Sequence, residues 1–341
     1  MGDILHALPA ITALRAARPD WQIGWVVDPR WRALLQAEDK QTGDRGLEQP
    51  LVDRLHFAAV KEWGRRPLTI QTARQFAALR RELRDARYHA VLDLQGAIRS
   101  AVIARMAGAE RVLGEMHPRE PAARMLFTER IATQSAHVIE QDIELASVLA
   151  GDPLRYAAPL LPRSSAAEAW TETLLAPAAQ RPVALLTPGA GWGAKRWPPD
   201  RYAEVASGLA ARGMYVLVNS GPGEESLASA VAEGSRGAAR PVKASLDRLI
   251  ALTRRIALCI GGDTGPLHLA CALARPVVGI YGPTDPSRNG PYGTRFTVLR
   301  NPMSRRDHSR HPDPEAGLLT IAPQDVLRSA EALLAGENSN R

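Results

Sequence analysis

Apolar positions along the chain alternate between helical spacing and short continuous runs. Ile4, Leu5, Leu8, Ile11 and Leu14 recur at helical intervals, with Pro9 near the start and Pro19-Asp20 closing the run. Residues 22–27 read as a short strand, 79–87 as an Arg-rich helix and 90–94 as a buried strand ending at Gln95-Gly96. A helix over 98–106 and a strand over 111–114 follow. Gly151-Asp152-Pro153 and the Pro-rich stretch to Pro162 break the pattern. It restarts with strands at 183–187, 215–218, 256–260 and 276–281, separated by helices at 201–212, after Glu224 and after Gly265. Strands separated by helices of this length predict βα units and a parallel sheet in each half. Two halves joined near residue 160 would leave a cleft at the carboxyl ends of their strands, where open α/β sheets bind ligands.

Length and composition agree with this reading. A chain of 341 residues suggests about two domains. With 45% hydrophobic and 23% charged residues it is an ordinary globular protein, which excludes fibrous, disordered and polytopic membrane classes. No apolar run approaches the ~18 residues of a membrane span. The acid at Asp3 argues against a secretion signal, and His6 against N-myristoylation. Cys259 and Cys271 build no disulfide framework and suit a reducing cytoplasm. No Cys/His cluster has zinc spacing, so neither metal nor cofactor is expected. The net charge of +7 is concentrated. Between Lys61 and Arg130 stand fourteen basic and eight acidic residues, a local excess of six. Solvated helix faces in an Arg-rich chain explain it as well as an anionic partner does.

Candidate chemistry lies mainly in three glycine-rich turns of the second half, each following a strand. The first runs from Thr187 through Gly189 to Lys195-Arg196. The second is Ser220-Gly-Pro-Gly-Glu224-Glu225, and the third is Gly261-Gly-Asp263-Thr264-Gly265, leading into a helix with His268. Glycines let backbone N–H groups approach a ligand, and a helix N-terminus favours a pyrophosphate. Tight turns without a ligand are the alternative. Three at successive ends of one sheet weigh against it. Lys195 could neutralise a phosphate leaving group. Asp3, at the start of the first helix, is either a helix cap or a general base, and sequence physics leaves both open. His268 on position alone is a packing or hydrogen-bonding residue. Trp192, Trp197 and Tyr281 line a nucleotide pocket or fill the core; both cysteines read as core residues.

Met1-Gly-Asp-Ile-Leu-His-Ala-Leu-Pro-Ala, the loop ending Lys195-Arg-Trp-Pro198, Gly261-Gly-Asp-Thr-Gly265 with His268, and Tyr281-Gly-Pro-Thr-Asp-Pro286 carry a resemblance over almost the whole chain. They resemble glycosyltransferase family 9, the ADP-heptose:lipopolysaccharide heptosyltransferases. Residues 91–100 and Arg119-Glu-Pro121 look more like its heptosyltransferase I branch than heptosyltransferase II. The resemblance implies an α/β chain of GT-B architecture, two Rossmann-like domains with parallel sheets facing across a cleft. Residues 1–160 would bind acceptor and 161–322 the nucleotide sugar, with 323–341 crossing back to the first domain.

It implies inverting, metal-independent transfer of L-glycero-D-manno-heptose from ADP-heptose to the Kdo of Kdo-lipid A. Asp3 would be the base and Lys195 would contact the donor phosphates. Asp263 would bind heptose hydroxyls, with Thr264 and Gly265 on the diphosphate and Thr187, Gly189 and His268 lining the donor site. Glu224, or Glu225 in its place, would hold the ribose. Lys61, Arg65, Arg66 and Arg119 would face the anionic acceptor, at the cytoplasmic face of the inner membrane. The family's Met-Gly-Asp turn follows a first strand and a Ser-containing loop absent before Met1 here. A coding sequence starting upstream, with about five to eight apolar residues, is therefore expected.

Rival readings are another family 9 transferase, a sugar-nucleotide epimerase of the same architecture and a non-catalytic nucleotide-sugar or nucleic-acid binding module. The arginines lack the interleaved aromatics of a nucleic-acid stacking platform, so no nucleic acid is expected.

Overall fold

The computed structural model describes residues 1–40, 45–65, 69–306 and 311–336. The chain divides at Pro162/Arg163, into Asp3–Pro162 with Met1 and Arg163–Arg341.

The first unit runs α1 (Gly2–Ala17), β1 (Gly24–Val27), β2 (Arg54–Phe57), α2 (Val60–Arg65), α3 (Ile70–Asp85), β3 (Ala90–Asp93), α4 (Ile98–Met106), β4 (Arg111–Glu115), β5 (Glu129–Ile131) and α5 (Val138–Ala150). α1 extends beyond the expected span at both ends and carries Pro9 in its interior. Every residue from Leu5 to Arg15 is buried, so the helix shows no polar face. α3 starts nine residues before the expected helix because Thr69 caps it, accepting from the Thr72 amide at 3.2 Å. All strand pairs are parallel, but the single sheet expected here is two: β1-β2 and β3-β4-β5. Side chains link them instead, His56 Nε2 and the Tyr88 hydroxyl lying 2.6 Å apart.

The second unit continues α6 (Ser165–Leu175), β6 (Val183–Thr187), α7 (Pro199–Ala211), β7 (Tyr215–Ser220), α8 (Glu225–Gly234), β8 (Ala239–Lys243), α9 (Leu246–Arg255), β9 (Leu258–Gly262), α10 (Gly265–Ala272), β10 (Val277–Tyr281), α11 (Pro286–Asn289), β11 (Phe296–Arg300) and α12 (Pro323–Leu334). Its six parallel strands are ordered β11-β10-β9-β6-β7-β8. Counted from β6 this is the doubly wound order 3-2-1-4-5-6. Alternate residues Ala184, Leu186, Val216, Val218, Leu258, Ile260, Val278 and Ile280 join one core with residues of α7, α8 and α12. The intervening Leu185, Leu217 and Cys259 are buried on the other side, so both faces are covered and the strands read as continuous apolar runs. Trp197 and Tyr281 are core residues, 2% and 0% exposed, and both cysteines are buried thiols. The last helix, expected to cross back, packs on α7, β10 and β11, with Val326, Ala330 and Leu333 in the second unit's own core. Its apolar stripe at i, i+4 and i+7 matches that groove.

Candidate active site

Two groups of polar side chains form, one in each unit. In the second unit the winding direction reverses between β6 and β9, which are paired with Thr187 opposite Gly261. The loops leaving these strands therefore emerge side by side. A side chain at Gly261 would meet the Thr187 hydroxyl at 1.9 Å, so glycine is required for this approach.

The β6 loop delivers Lys195 on a single 3-10 turn, and the β9 loop delivers Asp263. Lys195 Nζ lies 2.5 Å from Asp263 Oδ2, and His268 Nε2, one turn into α10, donates to Oδ1 at 2.9 Å. The side chains are only 11%, 10% and 6% exposed respectively. Burial by itself would raise the Asp263 carboxyl. The His268 hydrogen bond and the Lys195 ammonium outweigh it and hold the group well below the usual carboxylate range. The Lys195 ammonium sits 4.3 Å from the Trp192 ring centroid, a cation–π contact that further fixes it.

Beside this triad, Thr264 is the N-cap of α10, with Pro266 in the first turn. The Thr264 hydroxyl oxygen is buried with no hydrogen-bond partner among the described residues. It stands with the unpaired first-turn N–H groups of the helix, an arrangement suited to an anion's oxygens. Glu224 reaches the same rim from β7, accepting from the Gly221 amide at 3.2 Å. A side chain at Gly189 would meet its carboxylate at 2.0 Å. Glu225 instead turns outward to Lys243 at 2.7 Å, so of the two neighbouring acids Glu224 is the one at the rim. Thr187 is 2% exposed, its hydroxyl directed at the Ile260 carbonyl inside the sheet.

Sequence reasoning missed how the Lys195 loop is held. The Ala194 amide donates to the His311 carbonyl at 3.0 Å, and the Glu315 amide donates to the Ala194 carbonyl at 3.2 Å. A side chain at Gly193 would meet the Pro312 carbonyl at 1.4 Å. The segment from His311 to Glu315 thus clasps the residue next to Lys195.

In the first unit, Asp3 lies inside the first turn of α1, and the N-cap position is Met1. The helix-cap alternative therefore falls. Its carboxylate, 56% exposed, accepts from Gln95 Nε2 at 3.0 Å and has Arg119 at 3.9 Å. Gln95 and Arg119 arrive on two loops that are tied together. Buried Asp93 accepts from the Gln95 and Gly96 amides at 2.9 and 3.0 Å and from the Ser100 hydroxyl at 2.8 Å. Burial pushes its carboxyl up despite those donors. The Gly96 carbonyl accepts from the Glu120 amide at 2.9 Å, and the Glu120 carboxylate accepts from the Ile98 amide at 2.8 Å. Gln95 was not among the residues expected here, although the motif 91–100 contained it. Lys61 is exposed on α2 and its charge is felt by Asp28. Arg65 is exposed at the end of α2 without an ion pair among the described residues. Arg66 lies outside the described residues.

The profile of glycosyltransferase family 9 (heptosyltransferase) matches residues 76–318. The chain belongs to glycosyltransferase family 9. It is similar to lipopolysaccharide heptosyltransferase 1 of Escherichia coli K12, 30% identical over 313 residues, 89% of this chain and 91% of that protein. Among solved structures it resembles E. coli heptosyltransferase WaaC with ADP, at TM-score 0.75 and 26% identity over 97% of this chain and 96% of that one. It also resembles the same enzyme with ADP-2-deoxy-2-fluoro heptose, at TM-score 0.73 and 25% identity over 98% and 96%. The expected α/β class of GT-B type, with two Rossmann-like domains, holds. No helix among the described residues is long and apolar enough to cross a membrane.

Two predictions follow from how this glycosyltransferase is built. Gly96 has φ of +62°, and a side chain there would press on the Arg119 amide at 3.0 Å. Gly96→Ala is expected to cost about 1–2 kcal/mol in a denaturant titration, from the left-handed conformation alone. It should also displace Arg119 from its place beside Asp3.

The second concerns pH. The folded Asp263 carboxyl lies below its unfolded value, so its ionised form stabilises the native state above the ordinary carboxylate range. That contribution disappears as pH falls through the folded value. Asp263→Asn leaves Lys195 buried without its anion and is expected to cost about 3–5 kcal/mol at neutral pH. The Tm gap between wild type and variant should narrow on acidification from pH 7 to pH 3; a gap constant with pH refutes it.

Proposed function

We propose that the chain transfers L-glycero-D-manno-heptose from ADP-heptose to the Kdo of Kdo-lipid A, with inversion and without a metal, in lipopolysaccharide inner-core synthesis. The observation that carries this is the buried Lys195–Asp263–His268 triad beside the N-terminus of α10, at the sheet's switch point. The heptosyltransferase relatives, one solved with ADP and with an ADP-heptose analogue, support the donor.

In this reading Asp3 accepts the proton of the acceptor hydroxyl as its oxygen attacks the anomeric carbon. The bond from that carbon to the diphosphate breaks on the opposite face, and ADP leaves with the electron pair. Lys195, held by Asp263, and the first-turn amides of α10 take the developing charge without reorganising. Asp263 and His268 meet the heptose, Glu224 the ribose, and Thr264, Gly265 and Gly189 the diphosphate. Gln95 fixes one oxygen of Asp3, leaving the other for the proton. Lys61, Arg65, Arg66 and Arg119 face the acceptor's phosphates and carboxylates, and the enzyme works peripherally at the cytoplasmic face of the inner membrane.

The test is incubation with ADP-heptose and Kdo-lipid A in detergent, with and without EDTA, weighing the product by mass spectrometry and assigning its anomer by NMR. A single added heptose of inverted configuration, unaffected by EDTA, is expected. Transfer only to an acceptor already carrying one heptose would point to heptosyltransferase II. Donor consumption without acceptor would point to an epimerase.

A further inference from the structure

Among the helices of ten or more residues, α3 buries the smallest share of its residues. Of its 16 residues only Leu79 and Leu83 are buried. At 100° per residue, the direction opposite this pair is occupied by Ile70, Arg74, Ala77 and Arg81, at i, i+4, i+7 and i+11, with Arg84 alongside. All five are exposed, Ile70 by 74%. Phe76, 37% exposed, lies on the side of Leu79 and Leu83 instead, held edge-on to Trp63 with ring centroids 5.9 Å apart. Arg74, Arg80, Arg81 and Arg84 make no ion pair among the described residues. Glu82 is drawn aside to His56, 2.6 Å away, which leaves Asp85 as the acid on the outer side.

We propose that this outer face of α3 is a docking surface for an anionic lipid bilayer, a proposal that rests on the acceptor's being a membrane lipid. Charge complementarity selects the partner. Unpaired arginines attract anionic headgroups, and their alkyl stems extend beside inserted apolar groups. A helix with a basic stripe and an exposed apolar residue lies in the interface plane. Ile70 and the alanines at 73, 77 and 78 distinguish this face from a nucleic-acid platform, which needs stacked aromatics along it. Docking here would hold the first unit at the bilayer, using residues separate from Asp3, Gln95 and Arg119.

The full chain is sedimented with vesicles of phosphatidylcholine alone, or with about one quarter phosphatidylglycerol, without any substrate. Binding to the anionic vesicles only, weakened by salt, is expected. Arg74→Gln with Arg81→Gln should lower the partition coefficient by about 30-fold. Ile70→Ser should lower it several-fold, whereas Arg105→Gln with Arg288→Gln, the same charge removed elsewhere, should change it less than about twofold. Equal losses in both double variants would overturn the proposal, reducing the effect to net charge. So would wild-type binding to duplex DNA, insensitive to Ile70→Ser, in place of vesicle binding. Transfer to Kdo-lipid A in detergent is assayed in parallel and should be unchanged in the α3 variants. Vesicle binding independent of α3 with transfer intact overturns the docking surface alone. Absent transfer with α3-dependent binding overturns the proposed acceptor alone.

Discussion

Asp3→Asn is expected to lower kcat for heptose transfer by about 10²–10⁴-fold, the usual contribution of a positioned general base. The amide retains the shape of the carboxylate and can keep a contact with Gln95, so folding is preserved. What it loses is the oxygen proposed to accept the acceptor's proton. Because Asp3 belongs to the first unit and the residues proposed to bind the nucleotide to the second, ADP affinity should stay within about twofold. Gln95→Ala provides the graded companion. It leaves the base in place but unfixed, so kcat should fall less than in Asp3→Asn. Near-full turnover of Asp3→Asn would leave Asp3 as nothing more than a partner of Gln95 and Arg119.

Lys195→Met is expected to lower kcat by about 10²–10³-fold and to weaken ADP binding as well. Methionine keeps the length and the contact with Trp192 but removes the ammonium proposed to stabilise the leaving diphosphate. Asp263 would still have the His268 hydrogen bond, so the carboxylate is not orphaned and the fold should tolerate the change. Acceptor affinity should not move. Steady-state kinetics with each substrate varied, together with calorimetric titration of ADP, separate these effects. A variant losing less than tenfold in kcat would show that Lys195 serves Asp263 rather than the departing nucleotide.

Much of the second unit was legible from local pattern. β6 matches its expected bounds, and β7, β9 and β10 fall within two residues of theirs, because strands buried on both faces read as unbroken apolar runs. The edge strands β8 and β11 were not foreseen. Ala239–Lys243 buries only Ala239 and Val242, three positions apart, so it shows no period-two alternation to mark a strand. In the first unit, β2 and β5 are short and partly polar, and α1 hid its extent because burial on all sides erases amphipathic spacing.

The residue types of the site were legible too, since glycine turns after strands and a Pro-started helix carry their own backbone logic. Their partnerships were not. Lys195 and Asp263 stand 68 positions apart, and only the parallel register of β6 with β9 brings their loops together. Asp3 and Gln95 are separated by 92 positions, and their meeting depends on how the β3–α4 turn is tied through Asp93 and Gly96. The choice of Glu224 over Glu225 turned on one side-chain direction, set where Gly189 leaves room for a carboxylate. By itself the sequence determined the alternation of elements, the boundary near residue 160 and the chemistry available at each strand end. These depend on local backbone preference and hydrophobic period, which neighbouring residues encode. The tertiary structure alone decided which charges are paired, which glycines are obligatory and that the first unit's strands form two sheets, because those follow from contacts between segments distant along the chain.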